Sequence, residues 1–148
     1  MSVFEKYGVG FNNVGSYQAS ARPFITASCD VPASGSNMAL AFEVKFPKVT
    51  KFVTIRHDGS DSVSDANMSD MRFAFASGGL GPAHNYVTLE PSASYTADFR
   101  VTRVYLMNDG NGAGNTIGKA TVIAGLTQIE ANHLPEGWEH VDGVGPTD

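Results

Sequence analysis

Between residues 38 and 56 the chain reads MALAFEVKFPKVTKFVTIR, and its apolar side chains recur at every second position. Met38, Leu40, Phe42, Val44 and Phe46 fall on one face and Ala39, Ala41, Glu43 and Lys45 on the other, the geometry of an extended chain with one buried side. No helix brings those apolar residues together. Pro47 removes a ladder donor and bends the chain, and residues 50–56 resume with Phe52, Val53, Thr54 and Ile55, which suit a pleated, half-buried surface. The stretch predicts either two strands meeting at Pro47-Lys48 or one long strand kinked there.

The remaining chain repeats this pattern in shorter pieces. Residues 22–31 form an extended run, and PASGSN at 32–37 is a turn cluster. Residues 57–70, HDGSDSVSDANMSD, read as a polar loop. Residues 71–76 turn Met71, Phe73 and Phe75 inward against Arg72, Ala74 and Ala76, and residues 77–82 turn the chain. Further strands are expected at 84–89 and 93–100, either side of Glu90-Pro91-Ser92. Another lies at 101–107, continuous with its predecessor or separate from it. NDGNGAGN at 108–115 is a hairpin-type loop, 116–126 pairs back from it, and a short helical turn is expected over 126–132.

This makes about eight strands at spacings of roughly 8–12 residues, the signature of an antiparallel sandwich or barrel. The expected fold is all-β: a single antiparallel β-sandwich, jelly-roll-like, with an extended N-terminal arm. Its core should hold Leu40, Phe42, Val44, Phe46, Val53, Ile55, Phe73, Phe75, Val104 and Leu106. The chain divides into an arm (1–21), a sandwich (22–131) and a C-terminal tail (132–148). It shows no internal repeat at a period of 20–50 residues, which speaks against a solenoid or propeller.

The arm does not read as core. Phe4, Tyr7, Phe11 and Tyr17 lie among Gly8, Gly10, Gly15 and Asn12-Asn13 with no period that would bury them on one face, and the glycines raise the cost of ordering them. Two readings stay open: a strand and loop closing the chain's own core, or an arm lying on a neighbouring subunit by strand addition or aromatic anchoring. Trp138, in the Gly/Pro-rich tail LPEGWEHVDGVG, is likewise either tucked back on the sandwich or an anchor on a partner.

Composition narrows the function classes. At 148 residues the chain suits one domain that buries roughly two-thirds of its unfolded surface. Charged residues are only 17%, and 16 Gly and 9 Phe favour strands and turns over charged amphipathic helices. The net charge of −5, with no basic cluster, speaks against nucleic-acid and anionic-membrane partners. Cys29 is the single cysteine, so no internal disulfide forms. The chain shows neither a basic-then-apolar leader nor a run of about 18 apolar residues, and folding in a cytoplasm is expected. Cys29, with no His or basic residue beside it in PFITASCDV, should be an inert, partly buried thiol.

No catalytic constellation emerges. Asp58, Asp61, Asp65 and Asp70 could offer calcium hard oxygen ligands, but their spacing does not match the calcium-loop pattern, and a solvated loop is the expectation. Residues 110–115, GNGAGN, lack the G-K-[ST] ending of a phosphate loop and join two strands rather than leading into a helix. His57, His84, His133 and His140 form no metal-binding pair, and no G-x-S-x-G elbow occurs. Neither enzymatic activity nor a cofactor or metal is expected. A pair of glycosidase carboxylates is defined by separation in space, which sequence does not supply. Tyr86, Tyr95, Tyr105 and Trp138 could stack on sugars, although the tyrosines lie in expected strands, where aromatics pack on cross-strand neighbours.

The order of VGSYQASARPFITAS, FPKVTKFVTIRHDG, MRFAFASGG and HNYVTLEPSASYTADFRVTRVYLMND resembles small β-sandwich virion structural proteins of tailed bacteriophages, particularly those of aquatic origin. These carry an L-x-x-x-x-S-Y turn, matched by Leu89 and Ser94-Tyr95, and a V-x-x-V/I-Y-L strand, matched by Val101 and Val104-Tyr105-Leu106. The similarity spans residues 14–108, and its motifs are structural. It implies a capsid decoration or tail-associated component, assembled in the host cytoplasm into the virion and in contact with other virion proteins, the capsid shell above all. A homo-oligomer, a trimer in preference, with Phe4, Tyr7, Phe11, Tyr17 and Trp138 as interaction residues, is the corresponding expectation. The alternative is a carbohydrate-binding or adhesion module on the same scaffold.

Overall fold

The computed structural model describes residues 22–32, 41–59, 69–76, 78–80, 85–109 and 118–133. Eight strands follow in order: β1 (Arg22–Val31), β2 (Phe42–Lys45), β3 (Lys48–Gly59), β4 (Met71–Ala74), β5 (Val87–Leu89), β6 (Ser94–Ala97), β7 (Arg103–Asn108) and β8 (Gly118–Glu130). Short 3-10 turns occupy Gly78–Leu80 and Ala131–His133. The strands make two antiparallel four-stranded sheets, ordered β1-β8-β3-β6 and β2-β7-β4-β5. Every connection except β4–β5 crosses between sheets, the double Greek-key order of a jelly roll. The expected sandwich is the observed one. The arm, residues 1–21, lies outside the described residues.

Antiparallel pairing sorts the connections by end. Those joining β1–β2, β3–β4, β5–β6 and β7–β8 lie at one end. Those joining β2–β3, β4–β5 and β6–β7 lie at the other, together with the entry to β1 and the exit from β8. Both terminal segments therefore leave from the same end.

The core is the layer between the sheets. Val53 and Ile55 of β3 with Val122 and Ala124 of β8 face Val44 of β2, Val104 and Leu106 of β7, and Met71 and Phe73 of β4, all buried. Each large side chain so enclosed contributes roughly 1.5–3 kcal/mol. Of the expected core, Val44, Phe46, Val53, Ile55, Phe73, Val104 and Leu106 are buried, and Phe42 and Phe75 are half-buried against it. Leu40 lies outside the described residues.

Local interactions settle two boundaries that the sequence left open, at β2–β3 and β6–β7, and move two others. β2 and β3 are two strands in different sheets, with the corner at Phe46-Pro47, where the Phe46 N–H donates to Thr102 O at 2.8 Å. β3 runs on through His57 to Gly59 instead of entering the polar loop at 57, because β8 goes on pairing with it through His57↔Ala120 and Gly59↔Lys119. The helical turn expected over 126–132 is mostly strand. The Thr127 hydroxyl donates to Val49 O at 2.8 Å and Lys48 pairs with Glu130, so β8 stays extended until the turn at Ala131–His133. β6 and β7 are separate, since the chain crosses between sheets at 98–102.

Thr50 holds that crossing. Fully buried, it donates its N–H to Val101 O at 3.0 Å, and its hydroxyl accepts the Val101 N–H at 3.0 Å and donates to Phe99 O at 2.5 Å. A Thr50→Val chain keeps the shape but deprives the part-buried Val101 N–H and Phe99 C=O of the hydroxyl, so stability should fall by about 1–3 kcal/mol. Urea unfolding should show a lower midpoint with an unchanged slope.

Candidate functional site

The two lateral sides of the sandwich differ in how their edge strands are protected. On one side β1 packs over β2 and β7, with Phe24 edge-on to Phe46 at 5.2 Å. An open strand edge is a template for further pairing, and proline, bulges and charge suppress it. β1 carries Pro23 and an irregular register between Thr26 and Cys29, with Ser28 at φ 55°. β2 carries Glu43 and Lys45, and Glu43 accepts from Arg103 at 3.2 Å and from the Tyr105 hydroxyl at 3.1 Å. The other side is formed by β5 and β6, whose residues VTL and SYTA include neither charge nor proline.

This second side is aromatic. Phe73 lies 5.4 Å from Tyr95, Phe75 lies 4.7 Å from Phe99 edge-on, and Tyr95 and Phe99 are nearly parallel at 6.3 Å. Such pairs add about 0.5–1.5 kcal/mol beyond their buried area. Beside them is an open cleft of about 250 Å³ lined by Phe73, Phe75, Ala76, Asn85, Tyr86 and Val87, among others. Tyr86 is held by the Arg72 guanidinium 4.6 Å above its ring, and Arg72 in turn pairs with Asp109. The floor is set by Gly79, where an added Cβ would come within 3.0 Å of Asn85 O and 3.2 Å of the Ala74 Cβ. The Asn85 N–H donates to Gly79 O at 3.1 Å, while its side-chain amide nitrogen is buried without a hydrogen-bond partner. The described lining holds no acid–base pair and no activated nucleophile. That lining is mainly apolar, with Asn85 and the Tyr86 hydroxyl as its polar side-chain groups.

Sequence reasoning missed this cleft because it counted Phe75 as an inward strand residue. β4 ends at Ala74, and the bend at 75–76 swings Phe75 to the sandwich side. The readable signal was an aromatic pair in MRFAF running directly into the glycine-rich SGGLGP, where small residues let other backbone approach.

A buried clamp lies at the opposite end. His57 is fully enclosed. Its Nδ1 accepts from the Gly59 N–H at 3.2 Å, so the ring proton sits on Nε2, which donates to Ser69 O at 3.1 Å. The imidazole thus ties β3 of one sheet to the segment entering β4 of the other. Gly59, at φ 80°, occupies a conformation that other residues adopt only with strain.

The interaction residues Phe4, Tyr7, Phe11, Tyr17 and Trp138 lie outside the described residues, as do His84, His140, Asp61 and Asp65. Cys29 is buried, 3.6 Å from the Thr26 hydroxyl. Asp58 is on β3 rather than in a loop. It pairs with Arg56 at 3.0 Å and accepts from the Thr121 hydroxyl at 2.5 Å. Among the described residues no three His, Cys, Asp or Glu side chains gather closely enough to hold a metal ion. Tyr95 and Tyr105 are strand residues, Tyr105 bonded to its cross-strand partner Glu43 and Tyr95 packed on Phe73 of the opposite sheet, whereas Tyr86 precedes its strand and lines the cleft.

Two measurements follow from this geometry. His57→Leu removes the acceptor of the Gly59 N–H and the imidazole bond to Ser69 O inside a buried site, so denaturant unfolding should register a loss of about 2–4 kcal/mol. Chelator should leave the melting temperature unchanged. A fall that calcium restores would make residues 58–70 an ion site.

No protein-family model matches the chain, and no curated protein matches it.

Proposed function

We propose that this chain is a virion structural protein, a capsid decoration or cement protein of a tailed bacteriophage that self-associates as a trimer and binds the particle surface. The observation that carries the reading is the jelly-roll strand order, an architecture shared by viral capsid and lectin domains. A fold hosts many activities, so the surface has to supply the rest of the argument. Three features support the structural role. One side is protected against pairing while the other is uncharged and aromatic. The described lining of the cleft holds no acid–base pair or activated nucleophile. Both terminal segments leave from one end, where they can reach a neighbour. Four aromatics in a glycine-rich arm do not readily offset their own ordering entropy, and a partner surface supplies the burial they lack. Threefold sites of a capsid lattice suit a trimer, closed by each arm reaching the next copy.

The aromatic cleft favours a second reading, a carbohydrate-binding module, to a lesser degree. Phe73 is 1% exposed and offers no ring face, which leaves Tyr95, 37% exposed, as the strand ring on this side that a sugar could stack on. A saturable response on a glycan array would reverse this order.

Deleting residues 2–17 tests the structural role. The truncated chain should lose mass in light scattering and fail to stay on purified particles. Retention of both properties would reduce the arm to a local strand or loose end.

A further inference from the structure

Resting on the self-association in that reading, we propose that a positively charged end of this sandwich docks on the negatively charged end of a second copy. Along the chain the cations are scattered and no basic run appears. The fold gathers them. Arg22 opens β1, Lys45 closes β2, Lys48 and Lys51 begin β3, Arg100 lies in the β6–β7 crossing and Arg103 opens β7, all toward the end where β2 turns into β3. Arg22 and Thr50 both stand opposite Leu126 of β8, which puts Lys51 roughly 10 Å from Arg22, about two strand spacings. Only Glu43, Asp98 and Glu130 among the described carboxylates share this end. At the other end Asp30, Asp58, Asp70, Glu90 and Asp109 outnumber Arg56, Arg72 and Lys119.

β7 carries this polarity from one end to the other. At its start Arg103 stands directly opposite Lys45. Just past its end, one step beyond the Met71↔Asn108 pair, Asp109 stands opposite Asp70 and donates its N–H to Asp70 O at 2.7 Å. Like charges directly opposite each other cost stability. Each pair is held by one ion of the other sign. Glu43 takes Lys45 at 3.4 Å and Arg103 at 3.2 Å, and Arg72 pairs with Asp109. Each cluster of three thus holds one charge in excess, positive at one end and negative at the other. Lys45, Arg103 and Asp70 alternate with the buried Val44, Val104 and Met71, so both clusters lie on the outer face of the β2-β7-β4-β5 sheet. The six residue steps from Arg103 to Asp109, at about 3.4 Å each, separate them by about 20 Å. Physiological salt screens charge over about 8 Å, so each end presents its own sign although the net charge of the chain is −5.

A second copy supplies what both ends lack. Asp70 and Asp109 are already held by the backbone and by Arg72, so docking them orders little that is free to move. A phosphate backbone is a poorer match for the positive end, because Glu43, Asp98 and Glu130 are interspersed with its cations. Residues 134–148, which follow β8 from this end with Glu136, Glu139, Asp142 and Asp148 and no Lys or Arg, are the competing occupant. They would leave the Asp70–Asp109 end unanswered. Like ends repel, so the contact joins unlike ends, and a closed ring uses every one of them.

Charge reversal in the full chain, read by analytical ultracentrifugation, tests the assignment. Self-association should be tighter at about 0.05 M than at about 0.5 M salt. Lys45→Glu and Asp70→Lys should each weaken it about tenfold or more, and the double variant, whose ends are exchanged rather than removed, should recover most of the loss. Circular dichroism melting checks that each variant is folded, and Lys45→Gln or Asp70→Asn, with a smaller loss of the same sign, replaces a reversal that is not. Single variants that associate like the parent chain, or a double variant no better than the singles, would overturn the proposal. So would weakening by Lys45→Glu alone, which assigns the positive end to another acidic partner, residues 134–148 included. An oligomer indifferent to every variant refutes this contact and leaves self-association standing, whereas a chain monomeric at every salt concentration refutes both.

Discussion

β3 and β8 lie side by side at the centre of one sheet, in register from Lys48↔Glu130 to Gly59↔Lys119, and the other strands take their places from them. β1 joins the free side of β8 and β6 the free side of β3. Because side chains alternate with a period of two, slipping this pair by one residue would turn Val53 and Ile55 to solvent and Thr54 and Arg56 into the core. The pairing also contains irregular steps around Thr50 and between His57 and Gly59. These are the places where buried polar side chains reach across to the other connections, Thr50 to the β6–β7 crossing and His57 to the entry of β4. Buried polar groups persist only when paired, and here the pairs lie where the chain passes between sheets.

The regular parts of this arrangement were legible because their signal is local. Alternation from Phe42 to Phe46 and from Met71 to Phe73 marks the buried face directly, and Pro47 marks the corner. The extension of β3 into His57-Asp58-Gly59 was not legible. A histidine and an aspartate beside glycine carry every mark of a loop, and only the partner strand β8 at Ala120 and Lys119 overrides it. The same holds at Thr127 and Gln128, where tertiary pairing keeps extended a segment whose composition tolerates a turn. The cleft escaped for a different reason. The cleft lies within the single β4–β5 connection, yet it forms only when Asn85, Tyr86 and Val87 fold back beside Phe73–Ala76, and alternation patterns carry no information about that fold-back. The candidate interaction residues were chosen for being unplaceable in the core, a criterion that finds what could bind but not the surface that receives it.

Edge protection then constrains how such a domain can assemble. A sandwich with both lateral sides open could add copies at each and grow without limit. Pro23, the irregular register before Cys29 and the Glu43 and Lys45 charges disfavour pairing at β1 and β2, whereas among the described residues β5 and β6 carry no such device within their strands. In the proposed assembly, an arm from one copy meeting a different surface on the next would make the contact between copies head-to-tail. Such contacts yield a ring when the rotation closes and a filament when it does not. For the proposed assembly, closure into a ring would require one fixed rotation between successive copies, which is a condition on the contact and not on the sandwich itself.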